Sequence, residues 1–239
     1  MITGKCSADI HTHILPSMDD GAASVEESLR LLEALSRQGI TTVAATPHFY
    51  ADRESPGEFF DRRQKSVSLL TEKREPGMTV LTGAEVCYYP GISRTERLPE
   101  FTIGATGLLL LEMPFSEWTA SVVKEVCSIR RDRQLRVVIA HIDRYFGVGG
   151  VSGRMEDLLR SGVLFQLNAG VFLDRRRRGA ALELLEDRAA HFVASDCHNT
   201  KTRAPRLDEA YSVIGKKLGE DTLRWLRENS ERALEGSGA

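Results

Sequence analysis

Short apolar runs alternate with amphipathic stretches along the whole chain. Seven runs read as strands, at 8–11, 41–45, 79–85, 107–112, 136–141, 164–168 and 191–196. Most are continuous aliphatic or β-branched runs rather than strict alternations, the pattern of strands buried on both faces of a parallel sheet. The segments between them carry helical periodicity. Ser24 reads as an N-cap with Glu27 as its capping-box partner. Leu29, Leu32 and Leu35 then share one face of a helix over 25–38, which Gly39 ends. Further helices are predicted over 56–72, 120–132, 155–161, 180–188, 204–217 and 221–234. Repeated strand–helix units predict an α/β barrel, distorted because it has seven strands rather than eight. Periodicity leaves a doubly wound open sheet as the alternative. No linker or low-complexity block interrupts the 239 residues, so a single domain over 1–239 is expected, with a frayed tail at 235–239.

Composition narrows the class only a little. Hydrophobic residues make up 41% and charged residues 28%, as in ordinary soluble globular proteins. A net charge of −2 gives no global reason to expect nucleic acid or an anionic membrane as partner. The four cysteines are scattered without a C-x-x-C pair, which argues against a thiolate zinc site and fits a reducing cytoplasm. Residues 1–7 lack the apolar core of a signal peptide, and the apolar run at 108–111 is far too short to span a bilayer.

The polar residues change the picture more. Of six histidines, five sit at or just past the end of an apolar run. His11 and His13 follow the first strand and His48 the second; Glu85 ends the third and Glu112 the fourth. His141 ends the fifth, and Asp196 with His198 the seventh. Carboxyl ends of parallel strands form the active-site face in barrels and open sheets alike, so these groups are expected to converge. Asp20, on the loop before the first helix, reads either as a member of this set or as a simple cap. In His11-x-His13 and Asp196-x-His198, residues two apart on extended chain point the same way and can grip one ion together. A carboxylate ending an apolar strand, as at Glu85 and Glu112, is costly to bury without a charge partner. Imidazole and carboxylate donors without thiolate suit Mn, Fe or Zn. Nine donors exceed the capacity of one ion, so two or three ions with bridging carboxylates are expected. Clustered ions stabilise the attacking and leaving oxygens of a displacement at phosphorus and lower the pKa of a bound water, which points to phosphoester hydrolysis.

The strings Asp9-Ile10-His11-Thr12-His13-Ile14-Leu15-Pro16, Asp19-Asp20-Gly21, Ala45-Thr46-Pro47-His48, Leu111-Glu112-Met113-Pro114-Phe115 and Ala194-Ser195-Asp196-Cys197-His198-Asn199 resemble the polymerase-and-histidinol-phosphatase (PHP) superfamily. Within it the chain is similar to the manganese-dependent tyrosine-protein phosphatases of capsule and exopolysaccharide operons, the CpsB/YwqE-type group. The resemblance runs from about Asp9 to about Tyr211 and includes Arg203-Ala204-Pro205-Arg206-Leu207. It implies a distorted seven-stranded β/α barrel of the PHP type. The nine residues would hold three metal ions, usually manganese, with Glu112 as a bridge. Arg144 and Arg203 would bind substrate phosphate, for which a guanidinium fork is the matching donor. The implied substrate is phosphotyrosine on a cognate autokinase that controls polysaccharide assembly. One departure stands out: the family pattern His-Pro-Glu-Arg is here His141-Ile142-Asp143-Arg144, without the proline.

Rival readings remain. Other PHP activities, histidinol phosphatase or a phosphodiesterase, would use much the same centre. A catalytically inactive kinase-binding module is a third possibility, though a complete ligand set argues against it. Two C-x-x-x-x-x-R matches, Cys127 to Arg133 and Cys197 to Arg203, nominally allow a thiolate phosphatase. The first falls in an amphipathic helix without the glycines of a phosphate loop, and the second is flanked by proposed ligands. The run Arg175-Arg176-Arg177-Arg178 reads as a solvated face opening a helix, or as a docking patch for an acidic phosphorylated tail.

Overall fold

The computed structural model describes residues 7–75 and 77–235. Cys6 and residues 236–239, most of the expected frayed tail, lie outside the described residues. The fold is mixed α/β, and every pairing between its strands is parallel. Strands β1 (Ala8–Thr12), β2 (Thr42–Ala45) and β4 (Thr79–Thr82) form one sheet in the order β1-β2-β4. Strands β3 (His48–Phe49), β5 (Glu85–Cys87), β6 (Leu108–Glu112), β7 (Arg136–Ile139), β8 (Leu164–Asn168) and β9 (Phe192–Ala194) form a second, in that order. Helices α1 (Val25–Arg37), α2 (Pro56–Lys73), α3 (Ala120–Arg133), α4 (Val151–Arg160), α5 (Arg178–Glu186), α6 (Leu207–Leu218) and α7 (Glu220–Leu234) alternate with them.

The expected strand 79–85 is therefore broken into β4 and β5, and the one at 41–45 is followed by a short strand, β3, that was not expected. Pro47, with no N–H to donate, lies between β2 and β3. Gly83 lies between β4 and β5, where a Cβ would come within 2.9 Å of the Ile103 side chain and 3.1 Å of its Cα. At these breaks the chain leaves the first sheet and enters the second. The free edges of β1 and β9 meet through an isolated parallel bridge, Thr12 to Cys197. The His13 N–H donates to the Cys197 carbonyl at 2.9 Å, and the Asp196 N–H to that of His11 at 3.0 Å.

Most strands bury both faces, as their continuous apolar runs require; the edge strand β4 is the exception, with no fully buried residue. Leu109, Leu111, Val137, Ile139 and Val193 pack in the large core with Leu31 and Leu35 of α1. Their neighbours Leu108, Leu110, Val138, Phe192 and Ala194 fill a smaller inner core with Ala8, Ile10 and Ala44, into which Ala233 and Leu234 of α7 also pack. Each fully buried leucine contributes roughly 1.5–3 kcal/mol. Ser24 caps α1, its Oγ accepting the Glu27 N–H at 3.3 Å, whereas Glu27 reaches back to Ala23 rather than to Ser24.

Candidate metal centre

The irregularity in β1 falls where the chemistry begins. Its register with β2 slips between Asp9 and Thr12, around His11. A bulge of this kind re-aims side chains at a strand end. His11 Nε2 lies 3.1 Å from both His13 Nε2 and Glu85 Oε2. Glu85 Oε2 also lies 3.2 Å from His13 Nε2 and 3.1 Å from His48 Nδ1, while its Oε1 lies 2.6 Å from His141 Nε2. Glu85 thus occupies the middle of the cluster. Glu112, the bridge implied by the resemblance, stands to one side, 3.4 Å from His141 Nε2. Glu85 contacts four imidazoles, those of His11, His13, His48 and His141.

The far side is closed by residues distant in sequence. Asp20 Oδ1 lies 3.2 Å from His198 Nε2 and 3.8 Å from His48 Nε2. Gly21 lets its loop lie on β1: a Cβ there would meet the His13 carbonyl oxygen at 2.3 Å. Asp196 Oδ1 lies 3.4 Å from the Nε2 atoms of both His11 and His13. The extended-chain expectation fails for Asp196-x-His198, because Asp196 is left-handed, with φ 50°. The pair converges through a turn instead, and His198 Nδ1 hydrogen-bonds the Asp196 carbonyl at 3.0 Å. His141 is also left-handed, at φ 33°. Such conformations cost non-glycine residues of order 1–3 kcal/mol and persist where surrounding contacts hold them.

All nine expected donors are therefore brought together. Eight of them fall into three overlapping groups whose donor atoms lie within 4.8 Å of one another: His13, Asp20, His48 and His198; His11, His13, Glu85 and Asp196; His48, Glu85 and Glu112. His141 adjoins the third group through both glutamates. The side chains' charges conflict when no cation is counted. Burial would raise Glu85, but the imidazoles of His11, His48 and His141 hold it well below the usual carboxylate range. Burial would likewise raise Asp196, and His11 and His13 hold it down. Burial would lower His13, yet Asp19 keeps it well above an ordinary imidazole. Burial would lower His141 too, but Glu85 and Glu112 lift it to about 9. His198 goes the other way, to about 3, through burial and the neighbouring His13. Asp196 Oδ1, His48 Nδ1 and His198 Nε2 are buried with no hydrogen-bond partner. Inward-aimed orphan donors amid buried carboxylates fit divalent cations held by nitrogen and oxygen.

Both expected phosphate ligands stand at the rim. Arg144 Nη2 and Arg203 Nη2 donate to the same oxygen, Asp196 Oδ2, at 2.5 and 3.0 Å. Asn168 Nδ2 donates to it as well, at 2.8 Å. The missing proline does not free the turn carrying Arg144. Asp143, 3% exposed, accepts the Asn168 N–H on Oδ1 at 2.9 Å. Arg177 Nη2 donates to the Asp143 carbonyl and lies 3.2 Å from its Oδ2. The arginine run is thus not wholly a solvated face: Arg175 and Arg176 are exposed, but Arg177 reaches back into the site.

Several contributors were not anticipated. Asp19 Oδ2 lies 2.7 Å from His13 Nδ1 and accepts the His48 N–H at 2.8 Å. Gln166 Oε1 lies 3.2 Å from His11 Nδ1 and accepts the His141 N–H at 2.7 Å. Partners of this kind fix the ring orientation of ligating histidines. The available signal for Gln166 was a polar residue in the middle of a buried strand. An open cleft of about 910 Å³ leads from Asp20 and His48 past Tyr50 to Arg62 and Lys65 of α2. The Cys197 thiol is wholly buried in the apolar core, which pushes its pKa far up and removes it as a nucleophile.

The sequence matches the family described as "Capsular polysaccharide synthesis, CpsB/CapC" over residues 7–235. The chain belongs to the CpsB/CapC family. It is 30% identical over 237 residues to the tyrosine-protein phosphatase CpsB of Streptococcus agalactiae, spanning 95% of this chain and 97% of the relative. To the tyrosine-protein phosphatase YwqE of Bacillus subtilis it is 32% identical over 236 residues, spanning 95% and 91%. The structure superposes, with a TM-score of 0.82 and 30% identity, on a solved structure described as YwqE from Bacillus subtilis and CpsB from Streptococcus pneumoniae, unique metal-dependent tyrosine phosphatases; 97% of this chain and 95% of that one are covered. A histidinol phosphate phosphatase from Lactococcus lactis shares the fold alone, at 12% identity and a TM-score of 0.55. Among the described residues no helix is long and apolar enough to cross a membrane.

Proposed function

We propose that this chain is a metal-dependent protein-tyrosine phosphatase acting in the cytoplasm on a phosphotyrosine-bearing kinase of capsule or exopolysaccharide synthesis. The observation that carries the reading is the convergence of Arg144 and Arg203 on Asp196, at the rim of a buried imidazole–carboxylate cluster. Family membership and the phosphatase relatives support the substrate class. On this reading β2 with β3, and β4 with β5, are two interrupted strands, the two sheets are arcs of one distorted seven-stranded barrel, and residues 1–239 are one domain.

His11, His13, Asp20, His48, Glu85, Glu112, His141, Asp196 and His198 would hold three ions, manganese by preference, with Glu85 shared. Ions so held supply Lewis-acid charge and bring the pKa of a water toward neutrality. The chain's own contribution is orientation and charge. Arg144 and Arg203 turn from Asp196 to the non-bridging phosphate oxygens and neutralise the charge that builds there during an in-line displacement. Asp19 and Gln166 hold the imidazoles of His13 and His11 in place. A phenolate, with a pKa of about 10, leaves more readily than a serine alkoxide, so no acid is assigned. The test compares a phosphotyrosine peptide, a phosphoserine peptide, histidinol phosphate and a nucleotide diester on protein stripped with EDTA and reloaded with Mn²⁺. Preference for the first, lost on stripping and restored on reloading, is expected. Full activity in the stripped protein refutes the metal mechanism, and preference for any other substrate refutes the assignment.

A further inference from the structure

Among the described residues only two large apolar side chains are exposed, Leu69 on α2 and Phe115 at 60%. Phe115 stands on the loop after β6 and is firmly mounted. Its ring stacks on Tyr145, with centroids 5.2 Å apart and planes at 19°. Tyr145 is buried, meets Trp118 edge-on at 5.0 Å, and donates its hydroxyl to the Met113 carbonyl at 2.7 Å. Trp118 Nε1 donates to the Pro114 carbonyl at 3.1 Å. The loop bearing Phe115 is therefore pinned on both sides of the residue. The Phe115 ring also lies nearly parallel to that of His141, at 12° and 6.4 Å, and the inner edge of His141 faces Glu85 and Glu112.

The placement has a chemical logic. Arg144 and Tyr145 are consecutive on one 3-10 turn, Ile142–Tyr145. One residue reaches for phosphate and the next supports an exposed aromatic face. An aryl phosphate carries its ring one P–O–C link from phosphorus, whereas an alkyl phosphate offers nothing planar there. We propose that the exposed face of Phe115 is the seat for the phenyl ring of the substrate, and that it sets the preference for aryl over alkyl phosphate monoesters. This rests on the phosphatase reading above. Offset-stacked aromatic pairs hold each other beyond the gain from area alone.

The experiment measures kcat/KM for a phosphotyrosine peptide and for the same peptide carrying phosphoserine, on Mn²⁺-loaded wild type, Phe115→Leu and Phe115→Trp. Binding of phenylphosphonate and methylphosphonate is measured calorimetrically on the same preparations. Phe115→Leu keeps an apolar side chain but no planar face. Its aryl-to-alkyl ratio, in turnover and in binding, is expected to fall about tenfold, which corresponds to ~1.4 kcal/mol. The loss should lie mainly in KM, and Phe115→Trp should retain the wild-type ratio. A ratio that stays at the wild-type value in Phe115→Leu overturns the inference, whether or not both rates fall together. A wild-type ratio near one fails the phosphotyrosine assignment itself, and so separates the two outcomes.

Discussion

Arg177 lies outside every grouping of candidate ligands, yet its removal should reach the phosphate grip. Its guanidinium donates to the Asp143 carbonyl and faces the Asp143 carboxylate, which also accepts the Asn168 N–H and lies in the field of His141 and Arg144. Burial already pushes the Asp143 carboxyl up, so the charged form depends on these partners. Leaving a buried acceptor without its donor costs about 1–3 kcal/mol. The Arg177 side chain is 42% exposed, so screening draws the figure to the lower half, about 1–2 kcal/mol. At about 2–4 °C per kcal/mol for a chain of this size, Arg177→Ala should lower Tm by roughly 2–8 °C. The turn it releases carries Arg144, whose charged hydrogen bond to phosphate, on the proposed reading, would be worth about 1.5–3 kcal/mol when fully made. Partial misplacement should then raise KM for p-nitrophenyl phosphate about tenfold, with kcat changed less and bound metal undiminished. Arg177→Lys, which keeps the charge, should recover part of the loss. Thermal unfolding, steady-state kinetics and elemental analysis on one preparation decide the matter. A lower Tm with unchanged KM would show that the clamp serves the fold alone. A parallel loss of bound metal would show that it acts through the centre rather than through Arg144.

Other outcomes follow from the same geometry. Asp19→Asn removes the carboxylate behind His13 and should weaken Mn²⁺ binding about 10–100-fold, read by titration of the stripped protein. Cys197→Ser should keep substantial turnover, since the thiol is buried away from the cleft; an inert variant with metal still bound would revive a thiolate mechanism. For pH, burial would lower His141, but Glu85 and Glu112 lift it from 6.5 to about 9. This stabilisation of the stripped protein is complete below pH 6.5 and is lost as pH rises through about 9, so this residue's share of Tm should fall over that window. Metal must displace the same proton, so Mn²⁺ affinity should rise across it with proton release, visible as buffer-dependent heats. A flat affinity between pH 6.5 and 9 would contradict the assignment of His141.

The ends of the strands were readable because burial on both faces leaves continuous apolar runs, and a histidine or carboxylate closing such a run has few other reasons to be there. The interruptions were not readable. Thr46-Pro47 and Gly83-Ala84 look like ordinary strand punctuation, and only pairing shows that the chain changes sheets there. Helix α4 begins at Val151, four residues before the periodicity suggests, because Gly150 and Gly153 disguise its first turn. Helix α6 begins at Leu207 rather than at Ala204, since a residue before proline resists helical geometry. The candidate donors could be listed from strand ends, but the central place of Glu85 among them depends on how the strands are arranged. The roles of Asp19, Asp143 and Arg177 depend on which loops face one another, which local pattern does not encode.

The shared oxygen of Asp196 has a kinetic consequence. Arg144, Arg203 and Asn168 all donate to this one oxygen, so on the proposed reading both guanidinium groups are held extended at the rim, one turn away from the phosphate they would serve. Little rotational freedom remains for the substrate to quench, which favours capture. The same carboxylate, however, is a resident rival with which an arriving phosphate would compete for the two guanidinium groups. On that reading ester and freed inorganic phosphate would meet the rival equally, and the grip would discriminate poorly between them. Selectivity must then be supplied by whatever the ester carries beyond its phosphate.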